Sequence, residues 1–408
     1  MLQHPRRQFF TDAVDTELAF ALENFGADPQ RIRDQVGAVV ADLGLADFAG
    51  SRLRELSGGQ QQRVACAAAV AHEPPLLLLD EPTSNLSPQG ITELTAVLRG
   101  IRERGVTLVI AEHRLYYLRE LADRIVVLRD GRVEKVLARA EFAGLTDEMM
   151  RAAGLRSLDP PADLSMTPAF AYGPSVESGV GRTAAGTVDQ NAPVATLSGP
   201  DAGGGIVLRD IVCAFRGHRV LDITKAHLPA GVITGVTGPN GAGKSTLARI
   251  LAGLQPHGGR VLLDGHPLSR SRRQRASAIV MQDVQRQLFT DSVTAELRLG
   301  AIAEHASSAD TVLAELDLDG YRDRHPLSLS GGQQQRLVVA TSRLSGRRIV
   351  IFDEPSSGID RRHLHSMTQT MRDVATGGAV VVLISHDAEL LTLAADQELR
   401  LRPIRPRG

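Results

Sequence analysis

Apolar residues gather in short unbroken runs along this chain: LLLL at 76–79, ITGV at 233–236, IVIF at 349–352 and AVVVLI at 379–384. Of these, ITGV, IVIF and AVVVLI predict buried strands, as in a parallel sheet. Polar residues stand at the runs' C-terminal tips: Asp80 and Glu81, Asp353 and Glu354, and His386. After ITGV the chain passes through a glycine-rich stretch into STLARIL, which reads as the opening of a helix. Residues 156–205 lack this pattern and hold 14 Pro and Gly in 50 positions. That composition predicts a disordered tether. The expected organisation is a first domain over 1–155, a flexible linker over 156–205 and a second domain over 206–408.

The two flanking domains repeat one another. LSGGQQQR begins at Leu56 and again at Leu329, DEP at Asp80 and Asp353, and a strand-like run reaches His113 and His386. All three pairs lie 273 residues apart, so the internal spacings match: 23 from Ser57 to Asp80 and 33 from Asp80 to His113. A fourth pair, RQFFTDAVDTEL at 7–18 and RQLFTDSVTAEL at 286–297, has an offset of 279. Four ordered pairs identify a duplicated architecture.

Composition narrows the class of protein. Apolar residues make up 43% of the 408 and charged residues 23%, as in ordinary globular domains. A net charge of −1 gives no global basic field, which argues against a dedicated nucleic-acid binder. Cys66 and Cys213 form no CxxC pair and read as small buried hydrophobes. The apolar runs are far too short to cross a bilayer, so any membrane-spanning helices must come from another chain.

The glycine-rich stretch carries the chemistry. GPNGAGKST, residues Gly238, Pro239, Asn240, Gly241, Ala242, Gly243, Lys244, Ser245 and Thr246, fits the strand–GxxxxGK[ST]–helix context of a phosphate-binding loop. The glycines let backbone N–H groups point inward, and the helix N-terminus adds positive potential. Lys244 is placed to neutralise β- and γ-phosphates and Ser245 to bind Mg²⁺. Asp353, at the tip of a buried strand, is placed beside that metal, and Glu354 to take a proton from an attacking water. His386 ends the neighbouring strand.

Together these residues resemble the ATP-binding-cassette ATPases over about 350 of the 408 positions. The fold implied is α/β: a P-loop, RecA-like core with a helical subdomain and an antiparallel β subdomain, in tandem. The resemblance implies ATP and Mg²⁺ as ligands and a head-to-tail cassette sandwich. In it Lys244, Ser245, Gln282, Asp353, Glu354 and His386 face Ser57, Gly58, Gly59 and Gln60 of the other half. Gln282 matches the glutamine that senses metal and attacking water, and Phe215 the aromatic that stacks on adenine. The Q-[FL]-F-T-[DE]-x-V segments look like those of energy-coupling-factor importer ATPases, which take up vitamins or transition-metal ions. That implies a peripheral protein on the cytoplasmic face of the membrane. Its partners would be transmembrane subunits, including a separate substrate-binding one, with no nucleic acid expected. Arg6–Arg7 and Gln285–Arg286 depart from the usual acidic pair of that type.

Aligned on the second half, Gln3 falls opposite Gln282, and the counterpart of Lys244 would lie upstream of Met1. The first half is therefore expected to be a truncated cassette rather than a naturally shortened one, because loss of an internal strand would leave its neighbours with unpaired edges and a bared apolar face. Gln3, Asp80, Glu81 and His113 have the right types for a second site that lacks its lysine, opposite Ser330–Gln333. Ser87 stands where the second half has Asp360. The alternatives are a ribosome-associated tandem cassette, disfavoured by the nearly neutral Pro/Gly-rich tether, and a nucleotide-gated regulator, disfavoured by Glu354. A DNA-repair or chromosome-organising cassette is disfavoured by the lack of zinc-type cysteines and long heptads.

Overall fold

The computed structural model describes residues 8–56, 58–84, 86–129, 131–159, 167–168, 204–215, 217–281, 284–302, 308–356 and 359–404. The chain divides into two compact units. Unit 1 comprises Met1–Asp163 and Ser356–His365, and unit 2 comprises Leu164–Pro355 and Ser366–Gly408.

Unit 1 contains helices α1 (Val14–Asn24), α2 (Pro29–Asp42), α3 (Gly58–Val70), α4 (Pro88–Glu103), α5 (Arg139–Ala143) and α6 (Asp147–Ala152). Its strands are β1 (Leu76–Asp80), β2 (Thr107–Ala111), β3 (Arg124–Arg129) and β4 (Arg132–Ala138). Local chemistry sets the helix starts. Asp28 accepts from the amides of Gln30 and Arg31 ahead of Pro29, and Ser87 accepts from Gly90 N ahead of Pro88. Each satisfies donors that the first helical turn leaves orphaned. β1 and β2 run parallel, with Leu78 opposite Val109, while β3 and β4 form an antiparallel hairpin. The core gathers Leu18, Val64, Leu77, Leu79, Leu98, Phe142 and Met150. It reaches Leu158, and Arg156 is also buried, so packed structure extends past residue 155.

The first repeat has a bared apolar face. LLLL is buried on one face only: Leu77 and Leu79 point into the core, while Leu76 and Leu78 are 46% and 56% exposed and Val109 of β2 is 52% exposed. Among the described residues of unit 1 nothing covers that face, so the strands alternate between more and less exposed positions.

Unit 2 contains a mixed α/β core. Its further strands are β5 (Thr167–Pro168), β6 (Gly205–Phe215), β7 (His218–Pro229), β8 (Ile233–Thr237), β9 (Gly258–Leu263), β10 (His266–Pro267), β11 (Ser277–Val280), β12 (Ile349–Asp353), β13 (Val380–Ile384) and β14 (Gln397–Arg400). Its helices are α7 (Lys244–Leu251), α8 (Arg270–Ala276), α9 (Val293–Gly300), α10 (Ala309–Glu315), α11 (Gly331–Leu344), α12 (Arg361–Thr376), whose first residues belong to unit 1, and α13 (Ala388–Ala394). The parallel sheet runs β11-β12-β13-β8-β14-β5, and an antiparallel sheet runs β10-β9-β6-β7. Here the apolar runs are buried on both faces, every residue of β13 included. Helix α7 packs against β12 and β13. The helices α9, α10 and α11 pack on one another, giving the helical part of the fold.

Both cysteines are free and buried, and burial pushes the Cys66 thiol up to about 12. Among the described residues no helix is long and apolar enough to cross a membrane.

Candidate active site

The phosphate-loop residues sit between the tip of β8 and the first turn of α7. Gly238, Gly241 and Gly243 all have positive φ, 137°, 81° and 93°. At two of them there is also no room for a side chain. A Cβ on Gly238 would lie 2.4 Å from Leu401 O, and one on Gly243 2.7 Å from Val220 O. The loop is thus a close-fitted backbone cradle at a helix N-terminus, where the first-turn N–H groups have no intrahelical acceptor. Lys244 is 8% exposed, and its Nζ donates to the carbonyls of Gly238 at 2.7 Å and Pro239 at 3.2 Å. Burial lowers the Lys244 pKa, against the pull of Glu354 and Asp353.

Two carboxylates arrive from β12. Burial raises the Asp353 pKa, while a hydrogen bond from the Ser245 hydroxyl and the charges of Arg249 and Lys244 oppose the rise. A hydroxyl beside a carboxylate is the hard-oxygen pair that suits Mg²⁺. Glu354 has φ 53°, a conformation that costs a non-glycine residue energy and clusters at functional sites. The bond from Glu354 N to Ile384 O, 2.9 Å, fixes it to the end of β13. Its Oε2 accepts from Ser385 Oγ at 3.3 Å and from His386 N at 3.2 Å, and its Oε1 faces His386 Nε2 at 3.8 Å. His386 Nε2 also meets Asn240 Oδ1 at 3.1 Å, which joins the strand tip to the phosphate loop. The loop, both carboxylates and the histidine therefore converge within unit 2. Phe215 is 43% exposed at the end of β6, on the hairpin whose Val220 carbonyl abuts Gly243.

The first copy repeats part of this arrangement in unit 1. Glu81 has φ 43°, its N bonds Ala111 O at 2.8 Å, and its Oε1 lies 3.5 Å from His113 Nε2. Burial raises the Glu81 pKa; His113 opposes the rise and Glu112 adds to it. Glu112 stands where the second copy has Ser385, and it takes over the local hydrogen bonding. It accepts from His113 N at 3.0 Å, Arg114 N at 3.1 Å, Thr83 Oγ1 at 2.8 Å and Tyr117 OH at 3.2 Å. The backbone donor that serves Glu354 in one copy thus serves Glu112 in the other.

The LSGGQ helices are α3 and α11. Ser330 caps α11 by a reciprocal pair with Gln333, Ser330 N to Gln333 Oε1 at 2.9 Å and Gln333 N to Ser330 Oγ at 3.4 Å. Gly58, Gly59 and Gln60 open α3, while Ser57 lies outside the described residues, as do Gln3 and Gln282. Several residues emerge only from the structure. Gln61 and Gln334 are buried and donate back to the preceding turn, Gln61 to Leu53 O at 2.8 Å and Gln334 to Leu329 O at 3.1 Å. Gln287 accepts from Met281 N at 2.7 Å. Glu17 and Glu296, 5% and 4% exposed, each hold a Phe-Thr turn. Glu296 Oε2 accepts from Phe289 N at 3.0 Å, Thr290 N at 2.9 Å and Thr290 Oγ1 at 2.8 Å. Glu17 makes the same three bonds to Phe10 and Thr11. Both turns present an exposed ring, Phe10 at 74% and Phe289 at 76%. The repeat at offset 279 was the signal for these glutamates, and the mismatch of Glu112 with Ser385 at offset 273 was the signal for that pair.

Comparison with known proteins agrees with this geometry. The family model described as "ABC transporter" matches residues 4–84 and 221–357. A Treponema denticola protein, provisionally named an ABC transporter ATP-binding protein, is 37% identical over 402 residues, covering 98% of this chain and 78% of its own. A Bacillus subtilis protein, provisionally named an HMP/thiamine import ATP-binding protein, is 31% identical over 424 residues, covering 98% and 74%. Among solved structures, "RNase-L Inhibitor" superposes with a TM-score of 0.60 at 21% identity, covering 97% of this chain and 72% of that one, a likeness of fold. ATP with Mg²⁺ is what such cassettes use, and the glycine cradle, the buried lysine and the Ser245–Asp353 oxygen pair fit both. The chain belongs to the ABC transporter family of ATP-hydrolysing proteins.

Proposed function

We propose that this chain is the ATP-hydrolysing subunit of an importer of the energy-coupling-factor type, peripheral to the cytoplasmic face of a membrane. It would power uptake of a vitamin or transition-metal ion through a separate transmembrane partner and a substrate-binding membrane subunit. The observation that carries this reading is the duplicated Phe-Thr turn. Phe10 and Phe289 stand out from turns locked to buried Glu17 and Glu296, which is a rigid, exposed aromatic contact suited to a partner helix. The Bacillus subtilis relative, named for HMP/thiamine import, supports the same direction and substrate class.

In the catalytic proposal Lys244 and the loop amides of Gly238–Thr246 hold the triphosphate, and Ser245, Gln282 and Asp353 hold Mg²⁺. The metal would supply charge neutralisation at the transferring phosphoryl group. Glu354 accepts the proton of the attacking water, held by Ser385 Oγ and His386 N. His386, tied to Asn240, keeps strand tip and loop in register. Phe215 stacks on the adenine. Ser57, Gly58, Gly59 and Gln60 close the γ-phosphate from the opposite cassette. We further propose that the bare face of Leu76, Leu78 and Val109 is covered by a phosphate-loop strand and helix preceding this chain. The exposure of that face, against its burial in unit 2, supports this.

The importer reading is tested by co-expression with membrane subunits. Wild type is expected to co-purify with them, and the Phe10→Ala/Phe289→Ala variant to be lost from the complex. Full retention of that variant, or co-sedimentation of wild type with ribosomes instead, would overturn it.

A further inference from the structure

The turn that follows each DEP sequence brings two backbone carbonyls to one guanidinium, and the first of them already accepts from the turn's own amide, Leu86 N to Thr83 O at 3.1 Å and Ile359 N to Ser356 O at 3.3 Å. In the first copy they belong to Thr83 and Leu86. Arg114, the residue after His113, reaches both, its Nη1 lying 3.2 Å from Thr83 O and 3.3 Å from Leu86 O. In the second copy the corresponding carbonyls, 273 residues on, belong to Ser356 and Ile359. The residue corresponding to Arg114 is Asp387, which cannot donate and instead caps α13 by accepting from Leu390 N at 3.3 Å. The same two carbonyls are nevertheless held by a guanidinium. Arg156 donates through Nε to Ile359 O at 2.9 Å, and through Nη2 to Ile359 O at 2.7 Å and Ser356 O at 3.3 Å. Arg156, Ser356 and Ile359 all lie in unit 1, and Arg156 is only 4% exposed.

A second contact restrains the same segment. Arg361 donates to both carboxylate oxygens of Asp147, Nη1 to Oδ1 at 2.8 Å and Nη2 to Oδ2 at 3.2 Å. Asp147 opens α6, nine residues before Arg156. A bidentate arginine–carboxylate pair fixes orientation as well as distance. The segment fixed in this way starts two residues after Glu354.

We propose that Arg156 is a positioning residue for ATP hydrolysis: from the end of the first repeat it holds the turn behind Glu354, the task that Arg114 performs locally behind Glu81. The duplication has thus exchanged a local clamp for one supplied by the residues leading into the 156–205 stretch. The Asp147–Arg361 pair acts on the same segment from its other end. The inference rests on Glu354 being the base that activates water. Since Arg156 bonds backbone carbonyls two and five residues beyond Glu354, its removal should change turnover more than nucleotide affinity.

The test is steady-state ATPase activity of the full chain as Arg156→Ala, Arg156→Lys and Arg361→Ala. Arg156→Ala should lower kcat about tenfold with KM for ATP within about twofold, and Arg156→Lys should recover part of the loss, because an ammonium reaches one carbonyl but not both. Combining Arg156→Ala with Arg361→Ala should cost less than the product of the single effects, since both hold one segment. If Arg156→Ala does not fold, Arg156→Lys and Arg361→Ala carry the same prediction. Unchanged kcat in all of these variants, or a loss in which kcat, nucleotide binding and melting temperature fall together, would overturn the proposal. Glu354→Gln in the same assay separates the two claims. If Glu354→Gln abolishes turnover and the arginine variants do not, the clamp falls and the base stands. If Arg156→Ala slows turnover and Glu354→Gln does not, the base falls, and the clamp falls with it as a device acting through Glu354.

Discussion

Replacing Glu296 by alanine removes one buried carboxylate and strands three donors at once. Phe289 N, Thr290 N and Thr290 Oγ1 all bond its Oε2, at 3.0, 2.9 and 2.8 Å, and the side chain is 4% exposed. Hydrogen bonds to a charged acceptor contribute roughly 1.5–3 kcal/mol each. Three donors on one oxygen do not sum, and water entering the vacated space recovers part of the loss. The net destabilisation is therefore expected to be roughly 3 kcal/mol, which for a unit of this size lowers Tm by about 6–12 °C. Glu296→Gln keeps one acceptor oxygen and should cost about half as much. Urea titration of both variants measures the loss. Hydrogen exchange of the 286–297 peptide localises it, since the amides of Phe289 and Thr290 lose their acceptor. Glu17→Ala should reproduce the effect in unit 1, where the three bonds have the same lengths. A change under about 0.5 kcal/mol with unaltered exchange would refute the view that this carboxylate builds the turn.

Other perturbations follow from the same geometry. Gly243→Ala places a Cβ 2.7 Å from Val220 O at φ 93°, so it should destabilise unit 2 by more than about 2 kcal/mol and abolish binding of a fluorescent ATP analogue, both measurable by titration. Leu78→Lys should change the stability of this chain by under about 0.5 kcal/mol, whereas Ile351→Lys, at the equivalent buried position, should prevent folding; circular dichroism separates the two. Acid should weaken the 356–365 segment. Burial works against Asp360, but bonds from the His363 ring and backbone hold it at about 2, below its ordinary value. A depressed carboxylate contributes stability above its unfolded pKa and loses it as pH falls through the native one. The advantage of wild type over Asp360→Asn, about 1 kcal/mol after allowing for a carboxylate about one-third exposed, should therefore vanish between about pH 4 and 2 in urea titrations.

The strongest sequence signals were those with a fixed chemical cause. A glycine loop between an apolar run and a helix had to be a close backbone turn, and Gly238 and Gly243 have space for nothing else. IVIF and AVVVLI had to be buried strands, and they lie side by side with Ile351 opposite Val382. The LLLL run is buried on one face only because burial depends on what covers a strand, and the composition of the run does not carry that information. Ser385 and Glu112 are marked in the sequence only by their mismatch at offset 273, and a mismatch does not say what either residue does. Their role appears only when the donors to Glu354 and Glu112 are traced. Arg156 was hidden for a similar reason, lying at the edge of a Pro/Gly-rich stretch with partners 200 and 203 residues away.

Phosphate release by Glu354→Gln at saturating Mg²⁺ and ATP tests the catalytic account most directly. The account predicts turnover at least about 100-fold below wild type with nucleotide still bound, because the loop around Lys244 is untouched while the base is lost. Turnover within a few-fold of wild type would show that water is activated elsewhere, and the site built on Lys244, Asp353 and Glu354 would have to be abandoned.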